Sequence, residues 1–173
     1  MVKLSEHFTL EEFTYSDTAK KLGIKNEPTA VHLNTMKHTC QYLLEPLRAL
    51  LAIEYKTPVY LKITSGYRSA LLNSKIPGAS NTSAHCKGEA ADLDAYYMKD
   101  GKKISILYTT LYSLIKKWVK EKKLSVDQCI CERNLAGATW VHVSTSAWGK
   151  TRDRRQFLKY NGRTYTVDTV IKW

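Results

Sequence analysis

Between Ser83 and Asp92 the chain reads Ser-Ala-His-Cys-Lys-Gly-Glu-Ala-Ala-Asp. Two of these side chains, His85 and Asp92, offer a neutral imidazole nitrogen and a carboxylate oxygen. Both are good zinc donors, and a catalytic zinc site takes three protein donors while keeping a fourth position for water or substrate. The two residues are seven apart, so a straight strand would send them to opposite faces. Gly88 lies between them and supplies the turn that swings both toward one ion. The third donor must come from elsewhere. His142, in Trp140-Val141-His142-Val143-Ser144, is the best placed, because an alternating stretch projects it from one face of a strand. Taken singly, each of these residues reads as polar loop surface.

The whole pattern says more than its parts. Ser-x-His-x-x-Gly-x-Ala-x-Asp over 83–92 is preceded by Ser65-Gly66-Tyr67-Arg68-Ser69 and followed by Trp140-Val141-His142. This combination resembles the D-alanyl-D-alanine carboxypeptidase-like zinc peptidases, a family that includes many phage endolysins and, more distantly, the hedgehog signalling domain. The resemblance runs from about Leu33 to about Ser144. It implies a Zn2+ ion held by His85, Asp92 and His142, and hydrolysis of peptidoglycan stem peptides. The cut would fall at their D-Ala-D-Ala end or between L-Ala and a D-residue. It also places Arg68 on a substrate carboxylate, a bidentate task that suits a guanidinium fork better than an ammonium, with Ser83 beside it as a second substrate-binding residue.

One position departs from the family pattern. Many relatives carry the catalytic acid three residues before the last histidine; here that residue is Thr139, which has no usable basicity near neutral pH. Glu132, at the end of the preceding strand, is the expected general base, with Asp94 in reserve and Asp127 further back. The plain alternative for Glu132 is a surface glutamate paired with Arg133 or Lys122. Thr139 also keeps open a second function, a non-catalytic zinc-containing module that binds the wall or a protein.

The chain of 173 residues carries 27 basic against 16 acidic residues, a formal net charge of +11. Such a field favours polyanionic partners. Nucleic acid would explain the charge but leave His85, Asp92 and His142 without a purpose, so no nucleic-acid partner is expected; an anionic cell-wall polymer satisfies the same electrostatics. The lysines from Lys116 to Lys123 read as a solvated helix face. No stretch is long and apolar enough to span a membrane. The first residues, Met-Val-Lys-Leu-Ser-Glu-His-Phe, lack the apolar run of a secretory signal. The expectation is therefore synthesis in the cytoplasm and action at the wall after release, as a monomer. Cys40, Cys86, Cys129 and Cys131 lack the paired spacing of a thiolate zinc site and read as free thiols.

The elements that position these residues follow from periodicity and punctuation. Thr9-Leu10-Glu11-Glu12 matches a capping box opening a short helix; Ser16 to Thr29 looks like loop. Apolar residues from Met36 to Leu51 recur at helical spacing, with Pro46 predicting a kink or a break. Val59–Thr64 alternates as a strand, Glu89–Ala95 is a short strand of small residues, and 106 or 107 to Val119 is an amphipathic helix. Ser125–Cys131 and Thr139–Ser144 are expected to pair as an antiparallel hairpin, and Asn161-Gly162 marks another tight turn. The expected fold is α+β: a small, mainly antiparallel sheet carrying the zinc ligands, two main helices, and a C-terminal β-hairpin. All of 1–173 reads as a single domain, with the metal-site core at about 33–148. The basic extension at 149–173, with Arg152, Arg154, Arg155 and Lys159, would be an added β ribbon or a grip on the wall polymer.

Overall fold

The computed structural model describes residues 2–146 and 153–172. Its strands are β1 (Val59–Ser65), β2 (Ala90–Lys99), β3 (Lys102–Ile106), β4 (Gln128–Arg133), β5 (Thr139–Ser144), β6 (Gln156–Tyr160) and β7 (Tyr165–Val170). They form one seven-stranded sheet in the order β1-β2-β5-β4-β6-β7, with β3 also on β2. Every pairing is antiparallel except that of β4 with β6. The long β2 holds β1 along one edge. Its other edge is shared: β5 takes Ala90–Leu93 and β3 takes Ala95–Lys99. The α+β class, the β4–β5 hairpin and the C-terminal hairpin are as the sequence predicts.

The helices are α1 (Leu10–Thr14), α2 (Asp17–Leu22), α3 (Ala30–Thr39), α4 (Glu45–Tyr55), α5 (Ala70–Asn73) and α6 (Tyr108–Lys120). α1 begins with the predicted capping box between Thr9 and Glu12. Between α3 and α4 lies a π-helical turn, Cys40–Leu44, in which Glu45 N–H reaches back to the Cys40 carbonyl. Pro46 sits in the first turn of α4. Proline has no N–H and crowds the carbonyl four residues before it, and a π turn is one of the identifiable causes of a helix bend. The predicted break is therefore realised as an inserted residue rather than a loop.

Three expectations need correction. Ser16 to Thr29 is not all loop: Ser16 caps α2 by accepting from Ala19 N–H, and Gly23 closes it. The polar composition of Asp-Thr-Ala-Lys-Lys-Leu hid a helix whose caps were legible. The short strand at 89–95 runs on to Lys99 and turns through Asp100-Gly101 into β3. The strand expected from Ser125 begins at Gln128, because Ser125 bonds to Asp153 through its hydroxyl and Asp127 spends its carboxylate on Arg154.

Side chains opposite one another across strands share a face. One face of the sheet carries Val59, Leu61, Leu93, Val141, Val143, Cys129 and Phe157 into a single core with Leu43 of the π-helical turn, Leu47 and Leu51 of α4, and Leu111, Ile115 and Trp118 of α6. The two main helices therefore cover that face. The other face carries Asp92, His142 and Glu132.

The C-terminal extension joins the sheet as a ribbon beside β4. Three of its cations have partners within the fold. Arg154 pairs with Asp127, Arg155 Nε donates to the Ile171 carbonyl and Lys159 pairs with Asp168. Arg152 and the expected boundary at 148 lie outside the described residues. All four cysteines are free thiols, three of them buried. Burial raises the Cys86 thiol above its ordinary value, so its place beside His85 does not make it a ready thiolate. Lys116, Lys117 and Lys123 on and after α6 pair with Asp168, Glu54 and Glu121.

Candidate metal centre

His85 rides on a single 3-10 turn, Ala84–Lys87, between β1 and β2. The Ser83 hydroxyl caps this turn by accepting from His85 N–H at 3.3 Å. Gly88 ends it with φ +74, and a Cβ there would press on Met36 of α3; the Gly88 carbonyl also accepts from the buried Thr39 hydroxyl at 2.8 Å. Only glycine meets both demands cheaply. The turn reverses the chain so that β2 starts at Ala90 with Asp92 on the same side as His85. Asp92 stands opposite His142 of β5 in the ladder.

The three donors converge. His142 Nδ1 lies 2.9 Å from Asp92 Oδ1, His85 Nε2 lies 3.1 Å from His142 Nδ1, and His85 Nε2 lies 3.3 Å from Asp92 Oδ1. A cation with donors at about 2.0–2.1 Å in tetrahedral array separates neighbouring donors by about 3.3–3.4 Å, so the triangle is close to the size such an ion needs. All three residues are buried, and they form a group that fits one metal ion. His85 Nδ1 lies 2.6 Å from the Gly66 carbonyl. That carbonyl can only accept, so His85 donates from Nδ1 and turns the bare lone pair of Nε2 toward the other two donors. Burial lowers the His85 pKa, which keeps the imidazole in the neutral form a metal requires. For Asp92, burial acts to raise the pKa, but its close contacts with His85 and His142 outweigh it and hold the carboxyl well below the usual range. A lone pair and a carboxylate meeting in a buried site are an arrangement a cation completes.

Arg68 leaves β1 through the Ser65-Gly66 turn, with its backbone N–H on the His85 carbonyl at 3.2 Å. Its Nη2 is 3.7 Å from Asp92 Oδ2, while its Nε is buried with no hydrogen-bond partner among the described residues. A buried guanidinium N–H left unpaired is costly, and here it belongs to the side chain whose Nη2 faces Asp92 of the donor cluster. Gly66 is pinned from the other side, since Tyr67 N–H donates to the Phe13 carbonyl at 2.7 Å and a Cβ at Gly66 would collide with Phe13.

Glu132 stands on the same face. Ile130 pairs with His142, and Glu132 lies two residues further along β4. It is 7% exposed and has no ion pair among the described residues, so the surface salt bridge with Arg133 or Lys122 is not found. Burial, reinforced by the Asp92 carboxylate and opposed by His142 and Arg68, raises its pKa to about 7. Of the other acids considered, Asp127 is engaged by Arg154 and Asp94 is exposed on β2 outside the donor group. Thr139 pairs with Arg133 at the far end of the hairpin.

The structure adds features that the sequence reading did not single out. The Gly66 carbonyl has no side-chain signal. Tyr160 and Tyr165 continue the Glu132 rung onto β6 and β7. Burial raises the Tyr165 phenol to about 12, with the Glu132 charge the next contribution, so the tyrosine lies within the field of the site.

A sequence model of the family described as Peptidase M15 matches residues 6–110. The match takes in Arg68, Ser83, His85 and Asp92 and ends before Glu132 and His142, which the fold brings to the same place. No curated protein matches the chain. With more than half of its length matched, and with a His-Asp-His group that fits one metal ion at the centre of its sheet, the chain belongs to the Peptidase M15 family of metal-dependent peptidases.

Proposed function

We propose that the protein is a zinc peptidase that cuts peptidoglycan stem peptides, at their D-Ala-D-Ala end or between L-Ala and a D-residue, and that it acts at the cell wall. The observation that carries this reading is the pairing of a converged His85-Asp92-His142 donor set with a buried carboxylate, Glu132, whose pKa of about 7 suits proton transfer near neutral pH. Zinc at the three donors would supply Lewis-acid polarisation of the scissile carbonyl and activation of a water.

The remaining work falls to the chain itself. Glu132, ionised in part near neutral pH, takes the proton from the attacking water and returns it to the leaving amine. Arg68 offers its guanidinium to a carboxylate of the substrate, which fixes the peptide's direction across the sheet. Asp92 faces Arg68 from below and keeps the guanidinium at the rim. Ser83, whose oxygen caps the His85 turn, keeps its own hydroxyl proton for the substrate backbone.

The test is digestion of purified peptidoglycan with mass spectrometry of the released fragments, in parallel for wild type and Glu132→Gln, with metal content measured on the same samples. The expected result is defined peptide fragments from the wild type, and turnover about 10²–10⁴-fold lower in Glu132→Gln at equal zinc. Near wild-type turnover in Glu132→Gln removes it as the base. No fragments from any wall substrate sinks the peptidase reading.

A further inference from the structure

The face of the sheet that carries the donors extends past the metal centre. Glu132 of β4 lies opposite Tyr160 of β6, and Tyr160 opposite Tyr165 of β7, in one unbroken rung. The two tyrosine rings stack with centroids 4.3 Å apart and planes 24° apart. Tyr165 is 54% exposed, and neither ring joins the core on the other face. Neighbouring strands are about 4.8 Å apart, which puts the two tyrosine positions roughly 5 and 10 Å beyond Glu132 along the rung.

Arg68 stands on the opposite side of the donors, at the exit of β1 beyond β2. A substrate whose carboxylate rests on Arg68 and whose scissile bond lies over the donors leads its remaining chain across β4 toward β6 and β7. An extended peptide advances about 3.3–3.6 Å per residue, so it reaches the ring pair three or four residues past the scissile bond. Tyrosine suits such a role, since it gives a flat apolar surface with little entropy lost and a hydroxyl at the rim.

We propose that Tyr160 and Tyr165 form a secondary binding platform for the peptidyl chain of the substrate, contacting it on the side of the scissile bond remote from Arg68. The proposal rests on the peptidase reading for the nature of the substrate. It explains why a ribbon outside the family-matched region is built into the sheet beside Glu132: it lengthens the binding face and makes recognition depend on the length of the peptide.

The experiment measures equilibrium binding of peptides of two to six residues that share one D-Ala-D-Ala terminus and grow at the other end. The protein is the full zinc-reconstituted chain carrying Glu132→Gln, which keeps the peptides intact, with and without Tyr165→Thr. Affinity should step up about three- to ten-fold once the peptide passes about four residues. Tyr165→Thr should erase that step and leave the shortest peptide unchanged. The absence of a step, a step that survives Tyr165→Thr, or a loss equal at every length overturns the platform. Tyr165→Leu serves as the second variant, with melting curves checking that each is folded. Hydrolysis of the wall by the wild type is scored apart. A length step without hydrolysis supports the platform and sinks the peptidase reading; hydrolysis without a length step does the reverse.

Discussion

Glu132 is an acid held where its charge is unwelcome. Burial raises its pKa to about 7, the Asp92 carboxylate adds to the shift, and His142 and Arg68 offset part of it. The fold therefore binds the Glu132 proton more tightly than the unfolded chain does. Its contribution to stability is fully present below the ordinary glutamate value of 4.5 and is lost as pH rises through about 7. In metal-free protein, Glu132→Gln should be more stable than wild type at pH 8 by about 1–3 kcal/mol, with the gap closing near pH 4. Urea midpoints at the two pH values measure it, and equal midpoints at pH 8 would mean the carboxylate is comfortably solvated. Arg68→Lys should lower kcat/KM by about 2–3 kcal/mol equivalent at unchanged zinc content, since an ammonium cannot present Nε–H and Nη–H together; an unchanged value on a defined peptide would return Arg68 to a purely structural role. The grouping of His85, Asp92 and His142 was legible as residues, because side-chain type and spacing carry donor chemistry, whereas Arg68 and Glu132 were named through the family resemblance. The Gly66 carbonyl was not legible, since every residue has one, and the Glu132 pKa was not, since burial is a property of the fold.

At the scale of elements, the donor set depends on two short connections. The β1 exit presents the Gly66 carbonyl to His85 Nδ1 while α1 presses on Gly66 from behind. The 3-10 turn presents His85 itself and is closed by Gly88 against α3. Gly66→Ala must push the turn away from Phe13, which moves the acceptor that orients the imidazole. Metal affinity should fall about 10–100-fold, as when a metal-bound histidine loses its outer partner, with the core otherwise intact. Competition against a chromophoric chelator reads this directly, and wild-type affinity in Gly66→Ala would show that the His85 orientation is set elsewhere. Elements with strong apolar periodicity, such as α6, or strict alternation, such as β1 and β5, were readable from the sequence. α2 was missed because six residues with one buried side chain, Ala19, show no periodicity. β3 was missed because four of its five residues are exposed, so nothing in its hydrophobic pattern marks a strand.

Across the whole molecule, the donors come from two neighbouring strands and the turn that precedes one of them, and they meet only when β5 has docked on β2. The family-matched segment 6–110 holds two of the three; the third arrives with the β4–β5 hairpin, which α6 and the core clamp in place. An unfolded chain has no such site, so metal binding is coupled to folding. Zinc at about 100 times its Kd should stabilise the protein by about 2.7 kcal/mol, and a chain of this size gains about 2–4 °C in Tm for each kcal/mol. A rise in Tm of roughly 5–10 °C on zinc addition is therefore expected. His142→Ala should abolish that rise even though it lies beyond the matched segment, because two donors rarely hold the ion against solvent. Asp94→Ala should keep it in full, since Asp94 is exposed and apart from the donor group. Thermal melts of the three chains with and without zinc, after dialysis against chelator, decide the matter. A shift that survives in His142→Ala would place the ion elsewhere, and one lost in Asp94→Ala would exchange the roles of the two aspartates on β2.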